Sequence, residues 1–218
     1  MKAEPQLGNF KKALVEGALY GITDLHFQFE SHLVCAQRLI EAGVQLIQYR
    51  GKELDPLIQR QELEILVPWA KERGATVIVN DQVQLAQQVG AAGVHLGQGD
   101  QSVTEARVLL GPKALIGLST HTLEQVKEAE GLGVDYIGVG PAYKTATKPQ
   151  EPTAGLGFLE SAAGNSTLAQ VAIGGITEAR LSEVLQTGQT SVAIISDLLS
   201  APDLEQKVLR IKGQLAGH

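Results

Sequence analysis

The sequence predicts one α/β domain spanning residues 1–218 and folded as a closed (β/α)8 TIM barrel, on three observations. Eight short apolar runs alternate with helical segments from residue 18 onward. The runs are near-continuous in Val, Ile and Leu, as in parallel strands buried on both faces, and no hairpin dipeptides join them. An eightfold repeat of this kind favours closure, although 218 residues is compact beside the roughly 250 typical of the fold. An open doubly wound sheet is the alternative, and it lacks the Gly-rich dinucleotide fingerprint after its first strand.

The elements follow in order. Residues 1–17 carry Pro5, Gly8 and several polar side chains and read as a loose N-terminal arm or a short helix near 10–15. The first strand, 18–23, closes at Asp24. Leu33, Val34, Ala36, Leu39 and Ile40 then stand at helical spacing in 31–42, and Gly43 stops that helix. Strand 44–48 precedes a helix over 56–73 that ends at Gly74. Strand 76–79, a helix over 82–89 ended by Gly90, and strand 93–96 repeat the pattern. A helix over 104–110 halts at Gly111-Pro112, before strand 115–118 and a helix over 123–132 closed by Gly133. Strand 136–139 runs into a long loop, 140–155, and a helix over 156–163. Strands 170–173 and 191–195 flank a helix over 178–187, and a last helix covers 204–215.

Composition narrows the function classes. Hydrophobic residues make up 44% of the chain, charged residues 19%, and mean hydropathy is +0.02, which suits a folded core and excludes disorder. With a net charge of −6, generic nucleic-acid binding is not expected, and an anionic ligand must be met by a local cluster of cations. The lone Cys35 rules out an internal disulfide framework and reads as a small buried helix residue. No apolar run approaches the roughly 20 residues of a membrane span, and the polar start has no signal-peptide core. A cytoplasmic protein without membrane partners is expected, with homo-oligomerisation left open.

In a barrel, functional groups gather just past the C-terminal strand ends. There the sequence places Gln48, Arg50 and Lys52 after the second strand, Asn80 and Asp81 after the third, and Asp100 after the fourth. Ser119 and His121 follow the fifth, Thr145, Thr147 and Lys148 the sixth, Gly174 and Gly175 the seventh, and Ser196 the eighth. Residues 76–100 read as strand, helix, strand, so Asp81 and Asp100 share one rim as hard oxygen ligands for Mg²⁺. Either carboxylate alone is more simply a helix cap or a turn residue; the pair beside three cations points to a metal-assisted pyrophosphate site. Gly174-Gly175, Ile195 and Ser196 suggest a second phosphate site, and two such sites imply two phosphorylated substrates.

The motifs carry a resemblance. Gln48-Tyr49-Arg50-Gly51-Lys52, Val79-Asn80-Asp81, the run 93–100, the run 117–122, the run 140–148 and Ile173-Gly174-Gly175-Ile176 closely resemble those of the thiamine phosphate synthase family, in order, over 19–199. The resemblance implies a Mg²⁺-dependent transferase joining an aminopyrimidine methyl diphosphate to a thiazole phosphate, carboxylated or not, with release of pyrophosphate. It implies that the diphosphate substrate is bound by Gln48, Tyr49, Arg50, Gly51, Lys52, Asn80, Ser119 and Lys148, with Ser119, Lys148 and Arg50 acting in catalysis. Asp81 and Asp100 would hold the metal, and Thr145, Ala146, Thr147, Gly175, Ile195 and Ser196 the thiazole phosphate. Family chemistry further implies that the leaving group departs first, giving a pyrimidine-stabilised cation. Two departures stand out: Gly51 replaces a more usual acidic residue, and Lys144 a frequent Pro. The alternatives are a related thiazole tautomerase, for which His121 would be the base, and a non-catalytic phosphate-ligand-binding barrel. His95, inside the fourth strand, reads as a barrel-filling residue.

Overall fold

The computed structural model describes residues 4–145 and 152–217. Its eight strands are β1 (Leu19–Ile22), β2 (Leu46–Tyr49), β3 (Thr76–Asn80), β4 (Gly93–Leu96), β5 (Leu115–Thr120), β6 (Tyr136–Val139), β7 (Ala169–Ala172) and β8 (Ser191–Ile194). All are parallel, each pairs with its neighbours in sequence, and β1 pairs with β8 to close the barrel. The helices α1 (Glu4–Glu16), α2 (His32–Glu41), α3 (Pro56–Glu72), α4 (Val83–Val89), α5 (Val103–Leu110), α6 (Leu123–Leu132), α7 (Leu156–Asn165), α8 (Leu181–Leu185), α9 (Ser196–Leu199) and α10 (Leu204–Ala216) surround it, with a 3-10 turn at Glu178–Arg180 leading into α8.

Strand alternation sorts the apolar residues into two cores. Leu39, Ile47, Leu63, Leu66, Val77, Val79, Ile116 and Ile137 fill the shell between barrel and helices. Tyr20, Leu46, Ile78, Leu115, Tyr136 and Val171 fill the lumen, together with Phe10 and Leu14 of α1. Of the two expectations for this segment, a loose arm or a short helix near 10–15, the structure has the helix, longer than expected. The N-terminal segment is a 13-residue helix that stoppers the barrel at the N-terminal ends of the strands, where Ser191 Oγ donates to the Leu14 carbonyl at 2.7 Å and the Phe10 ring lies 5.2 Å from that of Tyr136. Pro5 falls in its first turn, where proline is tolerated, and burial of Phe10 and Leu14, about 2 kcal/mol each, offsets the weak local propensity around Gly8.

Smaller differences matter for the site. β5 continues to Thr120, so Ser119 lies on a strand; the Thr120 hydroxyl donates to the Gly138 carbonyl at 3.0 Å. The helix expected over 178–187 is a 3-10 turn followed by the short α8, and α9 is too brief to show a periodicity. Among the described residues, no helix is long and apolar enough to cross a membrane.

Candidate active site

Register decides which side chains enter the lumen. Ile22 pairs with Gln48, Asn80 with His95, His95 with Gly117, and Ser119 with Gly138, so the inward positions near the strands' C-terminal ends carry Tyr20, Gln48, Asn80, His95, Ser119 and Tyr136. Most are joined by hydrogen bonds. Gln48 Nε2 donates to the Tyr20 hydroxyl at 3.4 Å, the Tyr20 and Tyr136 hydroxyls are 2.9 Å apart, Tyr136 meets His95 Nδ1 at 3.0 Å, and His95 Nε2 meets Ser119 Oγ at 2.9 Å. Gly117 makes the room: a Cβ there would stand 2.2 Å from Tyr136 Cζ and 2.5 Å from His95 Nδ1. Burial pushes the Tyr20 hydroxyl up to about 12, against smaller lowering by Tyr136 and Gln48, and holds Tyr136 well above its ordinary value. Both phenols are therefore neutral hydrogen-bonding groups at the floor of the mouth.

Arg50, Lys52, Asn80, Asp81 and Asp100 form one side of the rim. Asp81 adopts a left-handed backbone, φ 60°, with its N–H on the His95 carbonyl at 2.9 Å. It does not cap α4, whose cap position is Gln82 with no side-chain bond. Nor does Asp100 cap α5, since Ser102 and Glu105 form the capping box; Asp100 Oδ2 instead accepts the Gly97 N–H at 2.6 Å. The two carboxylates lie within hydrogen-bonding reach of each other, and the Lys52 ammonium pairs with Asp81. Burial lifts the Asp81 carboxyl above its ordinary range; Lys52 opposes the lift and Asp100 reinforces it. Asn80 Nδ2 is buried without a hydrogen-bond partner, beside these charges.

Thr145, Gly174, Gly175, Ile176 and Ile195 line the other side on the loops after β6, β7 and β8, together with Ser196 at the start of α9. In an eight-stranded ring β7 stands across from β3. Gly174 and Gly175 have φ of 89° and 63°, a backbone that side chains rarely adopt. The chain thus has cations and carboxylates on one flank of the mouth and backbone-rich loops on the other.

A family model for thiamine monophosphate synthase matches residues 19–198. The chain belongs to that family. It is 42% identical over 202 residues to the thiamine-phosphate synthase of Pelotomaculum thermopropionicum, covering 91% of this chain and 92% of the relative. It is 38% identical to that of Caldicellulosiruptor saccharolyticus over 195 residues, 88% of each. The structure of thiamine phosphate pyrophosphorylase from Pyrococcus furiosus superposes with a TM-score of 0.84 at 30% identity, over 94% of this chain and 98% of that one. As a thiamine monophosphate synthase family member, the chain is an enzyme of the transferase class.

Not every family-inferred position reaches the mouth. Tyr49 follows the inward Gln48, so alternation turns it outward; it is buried in the shell, where its hydroxyl donates to Glu62 Oε2 at 2.6 Å. Gly51 packs on Tyr49 as well: a Cβ there would stand 2.9 Å from the Tyr49 ring. His121 directly follows β5, and its Nδ1 meets the Gly140 carbonyl at 2.7 Å, holding the loop after β6. Ala146, Thr147 and Lys148 lie outside the described residues. Sequence reading missed Tyr20 and Tyr136, although polar aromatics at inward positions of apolar strands were the available signal. It also missed Thr23 and His32: Thr23 Oγ1 accepts the Arg50 N–H at 2.9 Å and meets His32 Nδ1 at 2.8 Å, while His32 Nε2 meets Glu53 Oε1 at 2.7 Å. This buried clip orients the strand-end loop that presents Arg50 and Lys52.

Proposed function

We propose that this family member couples an aminopyrimidine methyl diphosphate to a thiazole phosphate, yielding thiamine phosphate and pyrophosphate. The observation that carries the reading is Asn80 Nδ2. A buried donor left unpaired costs about 1–3 kcal/mol, and this one sits in the mouth beside Arg50, Lys52 and a carboxylate pair, where a diphosphate oxygen would satisfy it. Arg50 and Lys52 would neutralise the same group, and Gln48 would face the pyrimidine. Ser119, its hydroxyl held by His95, would lie at the centre, and Lys148 is assigned to the diphosphate by its motif.

Asp81 and Asp100 fit a Mg²⁺ ion. Both are hard oxygen donors, their mutual repulsion is what a dication relieves, and two carboxylates leave coordination positions for water and phosphate oxygens. Among the described residues, no cluster of three or more His, Cys, Asp or Glu forms a closed cage. When bound, such an ion supplies Lewis-acid stabilisation of charge on diphosphate oxygens. The chain's own cations act in the same direction: negative charge grows on the leaving diphosphate as its C–O bond breaks, so Arg50 and Lys52 bind the transition state more tightly than the ground state. Thr145, Gly175, Ile195 and Ser196, with Ala146 and Thr147 by motif, would hold the thiazole phosphate across the mouth. The tautomerase reading leaves Arg50, Lys52 and the carboxylate pair of the rim without a role, whereas the coupling reaction uses all four. The lone buried Cys35, its thiol pushed up to about 12 by burial, is inert and compatible with a reducing cytoplasm.

The test is direct: purified chain, both substrates and Mg²⁺, with thiamine phosphate and pyrophosphate measured together. Equal release of the two products is expected. Absence of coupling, or isomerisation of a thiazole carboxylate phosphate alone, would overturn the proposal.

A further inference from the structure

We propose that Arg180 is a positioning residue that clamps the loops after β6 and β7 to each other and thereby sets the affinity for the phosphate of the second substrate. The identity of that substrate rests on the reading above; the clamp itself does not. Arg180 does not line the mouth. Its Nη1 donates to the Gly175 carbonyl at 2.9 Å, and its guanidinium carbon lies 4.4 Å from the centroid of the Tyr143 ring, whose hydroxyl donates to Glu183 at 3.0 Å. One side chain therefore holds a proposed phosphate-binding residue of one loop and the base of the other.

Three features make that contact consequential. Gly175 is a glycine at φ 63°, so its peptide rotates at little conformational cost unless something outside it fixes the plane. Because the peptide is planar, bonding the Gly175 carbonyl also fixes the direction of the Ile176 N–H on its opposite edge, and both residues line the mouth. The two loops already touch with no slack: a Cβ on Gly174 would stand 2.2 Å from Pro141 Cβ, and one on Gly175 would stand 2.7 Å from the Lys144 carbonyl oxygen. A shift of either loop is transmitted to the other, and Thr145 follows directly after Lys144.

Arg180 is also presented from a fixed base. The Glu178 N–H donates to Asp197 Oδ2 at 2.8 Å, and the Glu178 carboxylate accepts from Arg210 Nε at 2.7 Å and pairs with Lys207 at 3.1 Å. Lys207 in turn pairs with Asp197 at 2.8 Å, one residue past Ser196. The line of contact runs from α10 through the 3-10 turn to Arg180, and from there to Gly175 and Tyr143.

The experiment compares the full-length wild type with Arg180→Ala, Arg180→Lys, Tyr143→Ala and the Arg180→Ala/Tyr143→Ala double variant, in steady-state kinetics and amide hydrogen exchange. Arg180→Ala should raise KM for the thiazole phosphate on the order of tenfold while leaving kcat and KM for the diphosphate at wild-type values. Arg180→Lys should recover part of the loss, since an ammonium can reach a carbonyl but lacks the planar stacking group. The double variant should lose less than the sum of the two singles, because they share the Arg180–Tyr143 contact, while each also removes one bond of its own, to Gly175 or to Glu183. Exchange of the 174–177 and 142–144 amides should accelerate in Arg180→Ala. A wild-type KM for the thiazole phosphate in Arg180→Ala, an equal rise in both KM values with a lowered Tm, or unchanged exchange would each overturn the clamp. Failure of the wild type to couple the substrates would overturn the functional reading instead, and the exchange data would still judge the clamp.

Discussion

One backbone step separates Gln48 from Tyr49, and it places them in different cores: Gln48 in the mouth, Tyr49 in the shell against Glu62. Their substitutions should separate accordingly. Gln48→Ala is expected to raise KM for the diphosphate substrate, whereas Tyr49→Phe should leave it unchanged and cost stability of about 1–2 kcal/mol through the lost bond to Glu62. A Tyr49→Phe enzyme impaired in that KM would put the side chain back in the site. At Asp100 the conservative change is to asparagine, which can still accept the Gly97 N–H but loses the charge. Asp100→Asn should lower turnover on the order of a hundredfold and raise the Mg²⁺ concentration needed, with KM for the thiazole phosphate unaltered. A metal titration identical to wild type would exclude Asp100 as a ligand.

At the scale of elements, α1 is the piece whose role differs most from its local sequence. Leu14 is fully buried in the lumen floor, at the opposite end of the barrel from the chemistry. Leu14→Ala should therefore destabilise the fold by about 3 kcal/mol, in the usual range for a buried leucine, and leave both KM values untouched. Urea unfolding and kinetics on the same preparation check this; unchanged stability would mean that α1 is dispensable packing. The salt-linked 3-10 turn behaves differently, because its contribution depends on charge.

That dependence is a property of the whole molecule, since Glu178, on the turn after β7, is bonded both to the last helix and to Asp197 of α9. Its bonds to Arg210, and then to Lys207, lower the Glu178 carboxyl from its ordinary 4.5 to about 2. Between those values the unfolded chain binds the extra proton, so stability rises with pH. The contribution is complete above about 4.5 and lost as pH falls toward 2. The stability gap between wild type and Glu178→Gln should thus be constant from pH 7 to pH 5 and shrink at pH 3, in urea titrations at each pH. A gap that does not change across that interval would show that the bridges hold no differential free energy.

Periodicity and punctuation were enough to read eight strands, their helices and closure, because a parallel strand buried on both faces must be apolar along its length and a helix must stop at its glycine. The rim positions of Arg50, Lys52, Asp81 and Asp100 were legible for the same reason: they immediately follow those runs. Residues 4–16 were legible only in part, as a loose arm or a short helix near 10–15, since nothing local shows that the helix starts at Glu4 or that Phe10 and Leu14 meet the lumen. Tyr49 could have been sorted from Gln48 by counting in twos, but only the register between strands establishes which parity faces inward. The hydrogen-bonded line from Gln48 through Tyr20, Tyr136 and His95 to Ser119 draws on five different strands, and no spacing along the chain encodes it. Local patterns specify elements because their forces act over one turn or one pleat; the floor of the site belongs to the tertiary structure because its hydrogen bonds join residues as much as 116 positions apart.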